Sequence, residues 1–299
     1  MRTKKLKRNQ LAIWLEGARL RTLPLAIAPV AIGAGVADGM QAFDLTLSLL
    51  ALAVALFLQI AVNFANDYSD GIRGTDDNRV GPLRLTASNS VKPVQVKYAA
   101  FGFFALAALA GLAIVFLTSL WWLVGLGAAA IIAAWFYTGG KNPYGYAGFG
   151  EVAVFVFFGL VATIGTAFIQ IRTFEGNSLL GGIAAGLFAS AVLMVNNIRD
   201  IDTDRVAGKR TLAVRVGKRK ATYIFIAMIW LPMVLLWPFT LLYPATVLGY
   251  LVVLILAPIT LIVLTAKSAK ELILVLKLTS LAALAYALLL ALGLFTVFF

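Results

Sequence analysis

Hydrophobic residues run along this chain in long unbroken blocks, with neither the alternation of a half-buried strand nor the single stripe of a surface helix, and short polar gaps separate the blocks. Nine blocks are long enough to cross a bilayer, or nearly so: residues 22–37, 45–62, 98–118, 120–137, 152–170, 179–195, 221–240, 242–266 and 278–299. About 20 apolar residues in helical form cover a hydrocarbon core of about 30 Å. The pattern therefore predicts an all-α membrane protein with nine transmembrane helices. The first block is the shortest and carries Pro24 and Pro29, which predicts a kink, or an extension through the amphipathic stretch 11–20. Trp14 and the Trp121–Trp122 pair fit aromatic anchors at the membrane surface.

The gaps are unequal, and only 63–97 and 196–220 are long. Cytoplasmic loops concentrate Lys and Arg, so the basic residues give the orientation. With the N-terminus inside, only Arg172 of the 25 basic residues falls on the outer side. This predicts a basic cytoplasmic segment at 1–21 and a single polytopic domain at 22–299, placed in the cell membrane, with the C-terminus outside and both long gaps cytoplasmic. The basic start MRTKKLKRNQ leads into the polar stretch 14–21 instead of a short apolar core, so no cleaved signal peptide is expected.

Composition narrows the chemistry. With 299 residues, 62% hydrophobic and 13% charged, and a mean hydropathy of +0.94, the chain has too little polar surface for a soluble globule. The net charge of +12 is mostly topological, and the basic residues are not gathered on a soluble module, so no nucleic-acid partner is expected. The chain has no Cys and no His, which removes disulfides, thiolate nucleophiles, imidazole bases and the usual zinc, haem and iron–sulfur ligands. Any bound metal must be held by oxygen.

Seven of the 13 acidic residues sit in the two long gaps. The first opens NFANDYSDGIRGTDDNRVGPLR from Asn63, and the second opens NNIRDIDTDRVAGKRTLAVR from Asn196. Asn63 precedes Asp67 by four residues, as Asn196 precedes Asp200, and Asp70 and Asp204 follow within one further turn. Such spacings stack side chains on one helix face, and Asp202 falls on another. Each motif follows the second span of a block of four, which predicts two four-helix repeats with one helix appended. Both motifs lie at the C-terminal ends of spans, where unsatisfied carbonyls already contribute negative charge. A hard divalent cation resolves that conflict, and Mg²⁺, which keeps waters and binds phosphate oxygens, is the usual one. Arg73, Arg79, Arg84, Lys141, Lys209 and Arg210 are then candidates to hold a polyanion such as a diphosphate. A single acidic motif at a span end reads equally well as solvated loop, but two copies with the same Asn-to-Asp spacing favour the metal. The run Lys218, Arg219 and Lys220 reads as orientation signal or lipid-headgroup contact.

These residues resemble the UbiA superfamily of intramembrane aromatic prenyltransferases: NDYSD at 66–70 is similar to its first aspartate motif and DIDTD at 200–204 to its second. EGARLRTLPLAIAPVAIG from Glu16, NDYSDGIRGTDDNRVGPLR from Asn66, YTGGKNPYGYAGFGE at 137–151 and FFGLVATIGTAFIQ at 157–170 look like the 1,4-dihydroxy-2-naphthoate polyprenyltransferases of menaquinone biosynthesis (the MenA type). Gly74 stands where 4-hydroxybenzoate-using relatives more often carry an Asp, and Leu20 where a Pro is common. The resemblance implies a helical cavity open to the cytoplasmic face and to lipid. It implies that Mg²⁺, with Mn²⁺ as a possible substitute, grips a polyprenyl diphosphate until its allylic C–O bond ionises. Dihydroxynaphthoate then captures the cation and loses CO₂, giving a demethylmenaquinol.

It also implies roles. Asp67, Asp70, Asp200 and Asp204 are catalytic metal ligands, with Asn63, Asn196 and Asp76 beside them. Arg73, Lys141, Lys209 and Arg210 hold the diphosphate, Lys141 as a catalytic residue. Tyr68, Tyr137 and Tyr144 offer ring faces to the cation, and Asn66 joins them at the prenyl site. Glu151 orients Lys141, and Gln170 is structural. No obligatory protein partner is implied. Two alternatives stay open: the same chemistry on 4-hydroxybenzoate, homogentisate, a haem vinyl group or a glycerol phosphate, and a secondary transporter. A transporter would place ionisable residues inside the spans, which here are almost free of charge.

Overall fold

A computed structural model describes residues 9–75 and 83–295. Every regular element in them is helical. The helices are α1 (Gln10–Ala18), α2 (Pro24–Gly39), α3 (Leu45–Ile72), α4 (Pro93–Thr118), α5 (Leu123–Phe136), α6 (Gly150–Ile171), α7 (Gly176–Arg199), α8 (Ile201–Val206), α9 (Leu212–Val216), α10 (Lys218–Leu242), α11 (Pro244–Thr265) and α12 (Ala269–Phe295).

Local chemistry sets many of the boundaries. Asp44 caps α3 by accepting the Leu47 N–H at 2.9 Å, and Glu175 caps α7 by accepting the Ser178 N–H at 3.0 Å. Pro24 and Pro93 open α2 and α4, where a missing N–H costs nothing. Ser119 and Arg172 end α4 and α6 in the left-handed conformation.

Among the described residues seven helices are long and apolar enough to cross a membrane, and the count reaches eight if the bent pair Gln10–Thr22 and Pro24–Gly39, turned through 47°, is one span. The bend falls where the amphipathic stretch meets the first block, and α2 runs on through Pro29. The block at 120–137 is where the nine-span expectation meets a difference. Trp121 and Trp122 form a turn, and α5 has 14 residues, or about 21 Å at 1.5 Å per residue. The gap 63–97 also differs from a plain loop, because α3 continues to Ile72 and carries the first acidic motif in its last turns.

Small residues let the helices approach closely, as membrane packing favours. A Cβ on Gly159 of α6 would lie 2.4 Å from the Gly186 Cα of α7, and one on Gly35 of α2 would lie 2.8 Å from the Ala291 Cα of α12. The larger apolar core is built around α7, α10, α11 and α12, and a smaller one joins α1, α3 and α4. Between them lies a cavity of about 510 Å³ lined by residues of α2 to α7. Residues 155–161 of α6 are π-helical, and this wider turn brings Phe157, Phe158 and Val161 to the cavity wall.

Candidate active site

The cavity gathers most of its polar lining at one end. Along its shaft the lining is apolar, with Val54, Leu58, Ala108, Leu126, Ile131 and Phe157 as examples. At the end where α3 and α7 finish, Arg19, Asn63, Asn66, Tyr137, Tyr144 and Asn196 line it. One helical turn beyond Asn66 and Asn196 stand Asp70 and Asp200. The carboxylates thus form a mouth above an apolar shaft.

Asp70 is 5% exposed and lies amid several donors and cations. Its Oδ1 accepts a hydrogen bond from the Tyr146 hydroxyl and is 3.4 Å from Lys209 Nζ, and its Oδ2 is 4.0 Å from Arg84. Lys209 Nζ also lies 4.0 Å from Asp204 Oδ1, so one buried ammonium spans the two motifs. The second motif is built unlike the first. α7 stops at Arg199, Asp200 is its C-cap, and α8 starts anew, carrying Asp204. Arg199 donates two hydrogen bonds of 2.7 Å to the Asp200 carboxylate.

The segment between α5 and α6 closes the mouth. Thr138 donates to Asn66 Oδ1 at 2.8 Å, and Arg73 donates to the carbonyls of Thr138 and Gly140. Tyr146 presents its ring to Lys209 Nζ at 4.6 Å and to Arg73 Cζ at 5.4 Å. Burial, then the Asp70 charge and its hydrogen bond, raise the Tyr146 phenol above its ordinary pKa, so it remains a neutral donor. Burial pushes the Tyr144 phenol up to about 12, and its hydroxyl donates to the Ala133 carbonyl at 2.8 Å.

Several expected residues are placed elsewhere. Asp67 is turned from the mouth, because its carboxylate accepts the Leu85 and Thr86 N–H groups at 2.8 and 2.9 Å. It fastens the returning chain. Tyr68 is absent from the cavity lining and stacks on Trp135 at 6.3 Å, with Lys97 over its ring at 5.8 Å. Lys141 and Arg210 are exposed, and neither is among the cations that reach Asp70 within the described residues. Arg73 is spent on loop carbonyls. Glu151 does not orient Lys141. It is buried, accepts from Asn197 Nδ2 at 2.8 Å, and its backbone carbonyl accepts from Ser190 at 2.9 Å. Asn63 donates to the Ala18 carbonyl at 3.0 Å while lining the cavity. Gln170 is structural as expected, accepting the Asp44 N–H at 2.7 Å. Asp76 and Arg79 lie outside the described residues.

Sequence reasoning missed Tyr146, Asn197 and Arg19 as parts of this region. Tyr146 sits two residues past Tyr144 in a Tyr-Gly-Tyr run, and nothing local distinguishes the two rings.

The donor set suits a hard cation, since it is made of oxygens alone. Among the described residues no three acids converge on one point. Asp70 and Asp204, bridged by Lys209, are acids that would hold Mg²⁺ only together with phosphate oxygens, since a closed protein cage would use more carboxylates.

Comparison with known proteins agrees with this geometry. Residues 26–272 match the model of the UbiA prenyltransferase family. The chain is 48% identical over 281 residues to a 1,4-dihydroxy-2-naphthoate octaprenyltransferase of Mycobacterium tuberculosis, covering 93% of this chain and 94% of that one. It is 43% identical to the protein of the same name from Escherichia coli, covering 70% of each. The fold matches the structure of a UbiA homolog from Archaeoglobus fulgidus bound to GPP and Mg²⁺, with a TM-score of 0.67 at 16% identity, covering 95% of this chain and 100% of that one. A helical membrane protein with this mouth and shaft, matched over most of its length, is a prenyltransferase of the UbiA family.

Proposed function

We propose that the protein transfers a polyprenyl group from polyprenyl diphosphate to 1,4-dihydroxy-2-naphthoate, releasing diphosphate and CO₂ and giving a demethylmenaquinol. The observation that carries this reading is the joining of two buried acidic motifs by Lys209 at the polar end of an otherwise apolar cavity. The acceptor rests on relatives of 41–49% identity that bear the naphthoate octaprenyltransferase name.

Asp70 and Asp204 would hold Mg²⁺, or Mn²⁺ in its place, with Asp200, Asn66 and Asn196 completing the oxygen-rich mouth, and the ion would supply positive charge to the leaving diphosphate. Lys209 and Arg84, already beside Asp70, turn their charge to the same phosphates. The allylic C–O bond breaks with its electron pair leaving on the diphosphate. The apolar shaft keeps water from the resulting cation, and the rings of Tyr137 and Tyr144 line its upper wall. A ring carbon of the acceptor forms the new C–C bond, and in net the prenyl group replaces the carboxylate, which leaves as CO₂. No oxidant is consumed.

The tail lies along the shaft and reaches lipid beside α5, which has no fully buried residue and packs on α3 and α4. The bent first segment and the short α5, added to the seven long helices, give nine crossings, with the N-terminus and the active site on the cytoplasmic face of the cell membrane. Asp70→Asn and Asp204→Asn test the metal assignment. Each is expected to abolish Mg²⁺-dependent prenyl transfer in inserted, folded protein, and turnover near that of the unaltered enzyme in either would exclude it.

A further inference from the structure

The helices that carry the two motifs do not pack along one another, because the cavity lies between them. α2 and α6 pack on both, and at the mouth itself side chains bridge the gap between them. Lys209 is one of them, and Tyr146 is another. From the loop between α5 and α6 its hydroxyl donates to Asp70 Oδ1, and its ring carries Arg73 at 5.4 Å on the first-motif side. On the second-motif side the same ring carries Lys209 at 4.6 Å, and its backbone carbonyl accepts the Arg210 N–H at 2.8 Å.

We propose that Tyr146 is a positioning residue that couples the metal-binding carboxylate of Asp70 to the diphosphate-binding ammonium of Lys209. This deepens the proposed function and rests on that reading. The two ends of the side chain have separate duties. A phenol fixes the orientation of the Asp70 carboxylate without adding a further positive charge to the Lys209 and Arg84 already beside it. The ring gives Lys209 a further seat beside its two carboxylates, which lie 3.4 and 4.0 Å away, so the ammonium is kept at the mouth when a phosphate draws it from them.

The two duties are separable by mutation. Tyr146→Phe keeps the ring and removes the hydroxyl, and Tyr146→Leu removes both. The readouts are Mn²⁺ affinity of the purified full-length protein, by electron paramagnetic resonance, and inorganic pyrophosphate affinity in the presence of Mn²⁺, by calorimetry. With Tyr146→Phe, Mn²⁺ affinity falls about tenfold, the loss expected for a hydrogen bond to a charged group. Its pyrophosphate affinity, measured at saturating Mn²⁺, stays within about twofold, because the cation seat is intact. With Tyr146→Leu, pyrophosphate affinity at saturating Mn²⁺ falls about fivefold or more as well. Mn²⁺ affinity unchanged in Tyr146→Phe, or pyrophosphate affinity equal in the two variants, would overturn the coupling. If the unaltered protein binds neither Mn²⁺ nor pyrophosphate, the proposed function fails and this inference fails with it; normal binding by the unaltered protein confines any failure to Tyr146.

Discussion

Asp67 and Asp70 stand three residues apart on one helix, yet they have different jobs. Asp67 holds the N–H groups of Leu85 and Thr86, so Asp67→Asn is expected to lower stability by about 1–3 kcal/mol by leaving a buried donor poorly matched. Thermal unfolding in detergent measures this, and Asp70→Asn is expected to shift the unfolding temperature less while removing turnover. Their spacing suggested a shared face and a shared ion. Nothing in the local pattern could show the returning chain, because the partners of Asp67 arrive 18 and 19 residues later. The cations divide the same way. Lys209, buried between two carboxylates, is expected on Lys209→Gln to raise the KM for prenyl diphosphate about tenfold, as a charge-assisted contact is worth. Lys141→Gln, at an exposed position, is expected to change it about twofold or less. Equal effects in steady-state kinetics would contradict the placement. Both lysines lie in gaps that the sequence assigns by its charge bias to the side where topology alone demands Lys and Arg, so sequence could nominate them but not rank them.

Among the elements, α6 is pinned and α5 is not. A side chain at Gly159 has no room against Gly182 and Gly186 of α7, so Gly159→Leu is expected to cost at least the about 1–3 kcal/mol typical of overpacking and to reduce the yield of folded protein. Gly127 of α5 lines the cavity with open space where a Cβ would sit, so Gly127→Leu is expected to fold normally while slowing transfer from long prenyl donors. Size-exclusion recovery and donor-length kinetics separate the two outcomes. The long apolar blocks were legible because a membrane helix must be apolar over its whole length. The shortness of α5 was not, since Trp121 and Trp122 extend the hydrophobic run without extending the helix. Nor was the break at Asp200, where the chain leaves α7 and begins α8 within an uninterrupted polar motif.

At the scale of the whole molecule, charge and hydrophobicity have different causes. The excess of Lys and Arg is what a membrane protein's orientation asks of its polar gaps, and the apolar residues both face outward and line a cavity. The chemistry belongs to the minority sign, the few carboxylates gathered where the cavity turns polar. That much was visible in the sequence as two Asn-led acidic motifs. The loop that unites them was not, because Tyr146 meets Asp70 across 76 residues of chain. The acceptor is fixed by the whole cavity, so it is tested on the whole enzyme. Purified protein supplied with a polyprenyl diphosphate and Mg²⁺ is offered 1,4-dihydroxy-2-naphthoate and 4-hydroxybenzoate in competition, with prenylated product and CO₂ measured together. Selective conversion of the naphthoate with one CO₂ per prenyl group transferred is the expected result; preference for 4-hydroxybenzoate, or transfer without CO₂ release, would contradict it.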